Sequence, residues 1–151
     1  MKGVSMKPAT PATDRNPWVV LASTSLAVFA VFLDTTILFV AFPSISAQFS
    51  STSPSSLSWI LNAYTIAFAA LLIPAGRLAD RFGRRRTFLA AAVVFTVASM
   101  LCGLAPTVAI LVGARILQAV AAAALVPASL ALVLQTFPHH KIPVAVAIWG
   151  A

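Results

Sequence analysis

Residues 76–89 read GRLADRFGRRRTFL and hold five of the chain's ten cationic side chains: Arg77, Arg81, Arg84, Arg85 and Arg86. Apolar runs lead into this stretch and out of it. Such a segment suits a nucleic-acid contact, a membrane surface or a moving part of a membrane machine, and the rest of the chain decides among them. Soluble domains carry about 25% charged residues, whereas this 151-residue chain has 9% charged and 60% apolar side chains. A nucleic-acid binder spreads its basic groups over a polar surface. Here they sit in patches separated by runs long enough to cross a bilayer. An all-α integral membrane protein is expected, with lipid as its solvent and no nucleic-acid partner.

A hydrocarbon core of roughly 30 Å needs about 20 apolar residues in a helix. Four runs qualify, at about 18–42, 57–75, 87–104 and 107–137, and a fifth starts at 143. The first stops at Pro43 and contains Asp34. Ending it at Leu33 would leave roughly 24 Å of helix and strand ILFVAF outside the slab, so Asp34 belongs inside the span. The length of that run, its acid and the spans that follow all speak against a cleaved leader. Residues 1–17 read as a flexible tail.

Loop charge sets the orientation. Lys2, Lys7 and Arg15 precede the first span, the five arginines occupy the second connection, and Lys141 lies in the fourth. The first and third connections, SISAQFSSTSPSSLS and GLAPT, carry no charge. By the positive-inside rule the N-terminus is cytoplasmic, and a multi-pass protein of the plasma membrane is expected. Trp18, Trp59 and Trp149 fall near span ends and read as interfacial anchors. Cys102, the single cysteine, reads as a small packing residue. His139 and His140 beside Lys141 read as juxtamembrane polar residues.

Two ionisable groups lie within spans, Asp34 and Arg115, and each costs on the order of 3 kcal/mol at mid-bilayer on insertion scales. Counting rise along the helices puts Asp34 about 24 Å and Arg115 roughly 18 Å above the inner face. The two are within reach of each other, directly or through water. Ser23, Ala27, Ala30, Asp34 and Ala41 form a small, polar stripe on the first helix. Arg115, Gln118, Ala119, Ala122 and Ser129 do so on the fourth, and such stripes belong against protein or a wet cavity. A static ion pair is one reading. The other makes Asp34 a proton carrier whose affinity depends on whether Arg115 is near and water reaches it.

In the basic stretch, Gly76 and Gly83 bracket a tight turn, Arg77 lies just past a helix end where the macrodipole favours a cation, and Asp80 is expected to pair with several arginines. A plain anchor for anionic lipid would need the arginines but neither the acid nor the glycines.

GRLADRFGRRRTFL closely resembles the signature loop of the major facilitator superfamily, Gly-x-Leu-Ala-Asp-Arg-x-Gly-Arg-Arg, at Gly76, Leu78, Ala79, Asp80, Arg81, Gly83, Arg84 and Arg85. LDTTILFVAFPSI at 33–45 is similar to the helix-one motif of its multidrug proton-antiporter branch. ILVGARILQAVAAAA at 110–124 resembles the helix-four motif with its Arg and Gln, and SWILNAYTIAFAALLIPAGRLAD resembles helix two of the fourteen-helix type. Phe39, Phe42 and Ala119 depart from the usual Asn, Leu and Gly, which bears on substrate more than on family.

The resemblance implies the N-terminal part of a major facilitator bundle, with four complete transmembrane helices and the start of a fifth. It further implies proton-coupled efflux of small, hydrophobic or drug-like molecules by alternating access. Asp34, Arg115 and Gln118 would form the proton-coupling and substrate cavity. Gly76, Asp80, Arg81, Gly83, Arg84 and Arg85 would form a cytoplasmic gating loop docking onto the opposite half. Since that family uses twelve or fourteen helices, the chain is expected to be a fragment that transports only if the C-terminal half is supplied separately. The alternative is a non-transporting helix bundle that assembles with or regulates a larger membrane partner. With no nucleotide-binding glycine pattern and no plausible catalytic constellation, no enzyme, cofactor or metal is expected.

Overall fold

A computed structural model of the chain describes residues 16–151; the tail bearing Lys2, Lys7, Asp14 and Arg15 lies outside the described residues. Helices α1 (Pro17–Gln48), α2 (Pro54–Phe82), α3 (Arg84–Gly103) and α4 (Val108–Thr136) are followed by a 3-10 turn (His139–Lys141) and α5 (Ile142–Gly150). The four long helices are all apolar enough to cross a bilayer. The protein is a multi-pass helical membrane protein.

Helices α1 and α2 outrun the spans read from hydropathy, α3 starts three residues early, and α4 falls within its expected 107–137. α1 has 32 residues and α2 and α4 have 29 each, about 48 and 44 Å at 1.5 Å per residue, against roughly 30 Å of hydrocarbon. Apolar composition marks the slab, while capping side chains mark where helices begin. Asn16 Oδ1 accepts from Trp18 N at 3.1 Å, Ser53 Oγ from Ser56 N at 3.4 Å, and Thr107 Oγ1 from Ile110 N at 3.3 Å, each satisfying an otherwise orphaned N–H. The expected stop of the first helix at Pro43 is corrected: α1 runs through it to Gln48. Pro74 and Pro127 likewise lie inside α2 and α4; spanning helices tolerate such prolines because their surroundings re-satisfy the freed backbone.

The turn in the basic stretch is also corrected. Gly76 and Arg77 lie inside α2, and the connection shrinks to Gly83 alone. Its φ of +97° is a left-handed conformation that L side chains resist. Gly83 caps α2, donating from N to Ala79 O at 3.0 Å, and opens α3 by accepting from Thr87 N at 3.0 Å. Gly76 instead faces α4, where an added Cβ would lie 3.7 Å from Pro127 Cβ.

Helix α4 is the axis of the bundle. Half of its most apolar stretch is buried, against 17–22% for the others, and α1, α2, α3 and α5 all pack on it. Its alanines make this possible. Ala119, Ala122 and Ala128 have no exposed surface and share the main core with Val28 and Val31 of α1, Tyr64 of α2 and Phe88, Ala91 and Phe95 of α3. Large apolar groups such as Phe29, Phe32, Phe39 and Val40 face outward, as lipid-facing side chains do.

The two ends differ in charge. At one end Leu21, Val133, Phe137 and Ala145 join α1, α4 and α5, Trp18 packs edge-on to Phe137 at 5.5 Å, and Pro17 lies near the α2–α3 connection. At the other, Leu38, Leu57, Ile60 and Leu111 close the bundle beside Phe49 and Ala105. Trp149 is no interfacial anchor: it is half-buried against the core and its Nε1 donates to Ser129 Oγ at 3.0 Å.

Candidate functional site

The buried face of α1 is Leu21, Thr24, Val28, Val31 and Leu38, spaced three, four or seven residues apart. Asp34 fills the step between Val31 and Leu38, so helical periodicity aims its carboxylate at α4. The expected stripe is rotated from this face. Ala27, Ala30 and Ala41 lie at its border, and exposed Ser23 turns its hydroxyl back to Val19 O and Val20 O. Close approach needs small residues on only one of two helices, and α4 supplies them. There Arg115, Gln118, Ala119, Ala122 and Ser129 are all buried.

Arg115 Nη1 donates to Asp34 Oδ2 at 2.5 Å and to Gln118 Oε1 at 2.7 Å. Gln118 Nε2 donates to Asp34 Oδ1 at 2.7 Å and to Ser99 Oγ of α3 at 2.8 Å. Cys102 Sγ, also on α3, donates to Gln118 Oε1 at 3.6 Å. Both N–H donors and both lone pairs of the Gln118 amide are thus occupied, and one side chain ties α1, α3 and α4 together. On the remaining side the Arg115 guanidinium sits 4.2 Å above the ring of Tyr64, a contact worth about 2 kcal/mol when water is excluded.

The two partners of the ion pair differ in exposure. Arg115 is 3% exposed and the Asp34 side chain 23%. A cleft of about 310 Å³ between α1, α3 and α4 is lined by Asp34, Ala41, Gln48, Cys102, Leu111 and Arg115. It reaches the pair from the end opposite the basic hairpin. The arrangement therefore places a carboxylate at the inner end of a cleft, beside an almost wholly buried cation. Removing one member of such a pair costs about 3–5 kcal/mol, because the other charge is left buried and alone.

The hairpin is organised differently. Asp80 of α2 pairs with Arg84 of α3, four residues on across the Gly83 turn, Oδ1 to Nε 2.8 Å. This corrects the expectation of several arginine partners: among the described residues Asp80 has this single ion pair. With 63% of its side chain exposed, the bond adds about 0–1 kcal/mol. Arg84 Nη1 also donates to Ala131 O of α4 at 3.4 Å, tying the hairpin to the axis. Arg81 lies over its neighbour Phe82 at 5.9 Å, and exposed Gly83 is the whole connection between α2 and α3.

The sequence profile of the Major Facilitator Superfamily matches residues 24–151. The chain belongs to that superfamily. This major facilitator chain is 40% identical over 148 residues to the tetracenomycin C resistance and export protein of Streptomyces glaucescens, covering 98% of the chain and 27% of that relative. It is 40% identical over 146 residues to the multidrug efflux pump LfrA of Mycolicibacterium smegmatis, covering 94% and 29%. With the probable multidrug resistance protein EmrY of Escherichia coli it shares 35% identity over 140 residues, covering 93% and 27%. The chain therefore spans about a quarter of the length of these curated relatives.

Three residues of the network were missed in the sequence of this major facilitator chain: Tyr64, Ser99 and Cys102. Tyr64 had a signal, as the single tyrosine of the chain set in an apolar span. Ser99 and Cys102 lie one turn apart on α3 and read as ordinary small residues. Only the packing of α3 on α4 gives them a polar partner.

Proposed function

We propose that this chain forms the proton-coupling part of a secondary exporter. Asp34 takes up and gives back a proton against outward movement of a small, hydrophobic, drug-like molecule, by alternating access. The observation that carries this reading is the Asp34–Arg115–Gln118 network between α1 and α4. With Asp34 ionised, α1 is held to α4 by an ion pair and an amide bond. Adding a proton removes the carboxylate's charge and weakens that hold, while the cleft offers the proton a way in and out. Coupling sites between packed helices inside the membrane suit a rocking transporter. The names of the relatives, which speak of export and efflux, support the substrate class. The protein moves its substrate unchanged, so we assign it no enzymatic reaction.

Arg77, Arg81, Arg84, Arg85, Arg86 and Lys141 belong to the hairpin end and support a cytoplasmic N-terminus in the plasma membrane. The Asp80 carboxylate is paired with Arg84 only through Oδ1 and is mostly exposed, which suits it to meet the other half of the bundle. In this reading Gly76, Asp80, Arg81, Gly83, Arg84 and Arg85 make up an inside gate that closes on helices supplied by the rest of the transporter, on the same polypeptide or another.

The test is proteoliposome transport with a pH-sensitive dye, comparing wild type with Asp34→Asn. Substrate-dependent proton movement lost in Asp34→Asn supports the reading. Proton-linked export that survives the substitution removes Asp34 from the role.

A further inference from the structure

We propose that Tyr64 is the residue that keeps Arg115 in place whenever Asp34 is uncharged, so that protonation loosens α1 on α4 while α2 stays clamped to it. This rests on the proton-coupling reading and deepens it. The charged or titratable groups meeting here are Asp34 from α1, Tyr64 from α2, Cys102 from α3 and Arg115 from α4. Asp34 supplies the only carboxylate bonded to Arg115 among the described residues. When a proton adds to an Asp34 oxygen the carboxylate becomes a neutral carboxylic acid, and Arg115 keeps its positive charge because a guanidinium does not deprotonate in proteins. The neutral acid can still accept a hydrogen bond but no longer offers a charge, and the partners of Arg115 that stay as they were are Gln118 Oε1 and the Tyr64 ring. The amide oxygen is shared with Cys102 and belongs to a side chain whose nitrogen is bonded to Asp34 and Ser99, so it shifts when Asp34 changes state.

The ring does not depend on Asp34. Tyr64 is 5% exposed and lies parallel to Phe68 of the next turn, 4° between planes and 6.0 Å between centroids. The negative face of this stacked ring meets the guanidinium between two almost wholly buried side chains, where cation–π attraction is strongest. Neither the Tyr64 hydroxyl nor Arg115 Nε has a hydrogen-bond partner among the described residues. What Tyr64 offers Arg115 is therefore the face of its ring. Tyr64 is a positioning residue: it acts on Asp34 only through Arg115.

The test uses the full chain in lipid nanodiscs, with Asp34→Asn standing in for the protonated acid. Arginine side-chain NMR should show Arg115 displaced upfield by the ring current in wild type, in Asp34→Asn and in Tyr64→Phe, and undisplaced in Tyr64→Leu. In reversible unfolding, Tyr64→Leu should cost about tenfold more of the folding equilibrium in the Asp34→Asn background than in wild type, and Tyr64→Phe should not. Three results would each overturn the proposal: equal losses in both backgrounds, Tyr64→Phe behaving like Tyr64→Leu, or Arg115 leaving the ring in Asp34→Asn. If the double variant does not fold, the NMR comparison of Asp34→Asn with wild type decides. None of these readouts involves transport, so failure here leaves the proton-coupling assignment to its own test.

Discussion

Asp34 and Arg115 stand 81 positions apart in the chain, and their side chains meet at 2.5 Å with the arginine almost wholly buried. The contact joins the least buried of the four long helices to the one at the centre of the bundle. Asp34→Ala should destabilise the chain by about 3–5 kcal/mol, since it leaves the guanidinium buried and unpaired. Asp34→Ala with Arg115→Met should recover at least half of that loss, because an apolar pair needs no partner. Reversible unfolding in mixed detergent measures both, and a double variant as unstable as the sum of the singles would show that the pair is not the source.

Gln118 holds partners on α1 and α3 and bonds Arg115 on its own helix. Gln118→Leu keeps the volume, strands Asp34 Oδ1 and should cost about 1–3 kcal/mol. Ser99→Ala removes one contact of the same amide and should cost no more than about 1 kcal/mol. Equal effects in an unfolding series would mean that the amide does not join the helices.

The two glycines of the hairpin should respond in opposite directions. Gly83→Ala places a Cβ at φ +97° and should lose about 1–2 kcal/mol. Gly76→Ala lies inside α2, with room at 3.7 Å from Pro127, and should gain up to about 1 kcal/mol in helix propensity. Thermal unfolding of the two variants checks this, and a neutral Gly83→Ala would argue that the turn relaxes out of its left-handed conformation.

Cys102 lines the cleft that leads to the ion pair. A small, membrane-impermeant thiol reagent should label it from the side opposite the hairpin, and Cys102→Ser should abolish the signal. Sealed vesicles of known orientation report the side, and labelling only from the hairpin side would contradict the course of the cleft.

Changing Arg84, Arg85 and Arg86 together to Ala removes half of the six cationic groups that the described residues place at one end of the bundle. The tail-in orientation should weaken, giving a mixed population in a topology-reporter assay. A connection that remains wholly cytoplasmic would mean that Arg77, Arg81 and Lys141 suffice.

Much of the site was visible before any fold. Asp34 and Arg115 were conspicuous because charge inside a span is costly, and Gln118 because it sits one turn from Arg115. The stripe on α4 was legible for the same reason: that helix is buried on most sides, so its small residues have no alternative. The stripe on α1 was misplaced because Ser23 satisfies its hydroxyl on its own backbone and so marks no contact. Ser99 and Cys102 carried no signal, since their polarity matters only once Gln118 is opposite.

Residue order alone determined the solvent, the number of spans, the end that carries the charge and the two groups that must find each other inside the membrane. These follow from transfer free energies, which act residue by residue along one dimension. Which way each helix is turned, that Gly76 is helical while Gly83 is the whole turn, and that Tyr64 lies beneath Arg115 were decided only by packing. In lipid, apolar side chains are equally at home against protein or acyl chains, so hydropathy says how deep a residue lies and not which neighbour it faces.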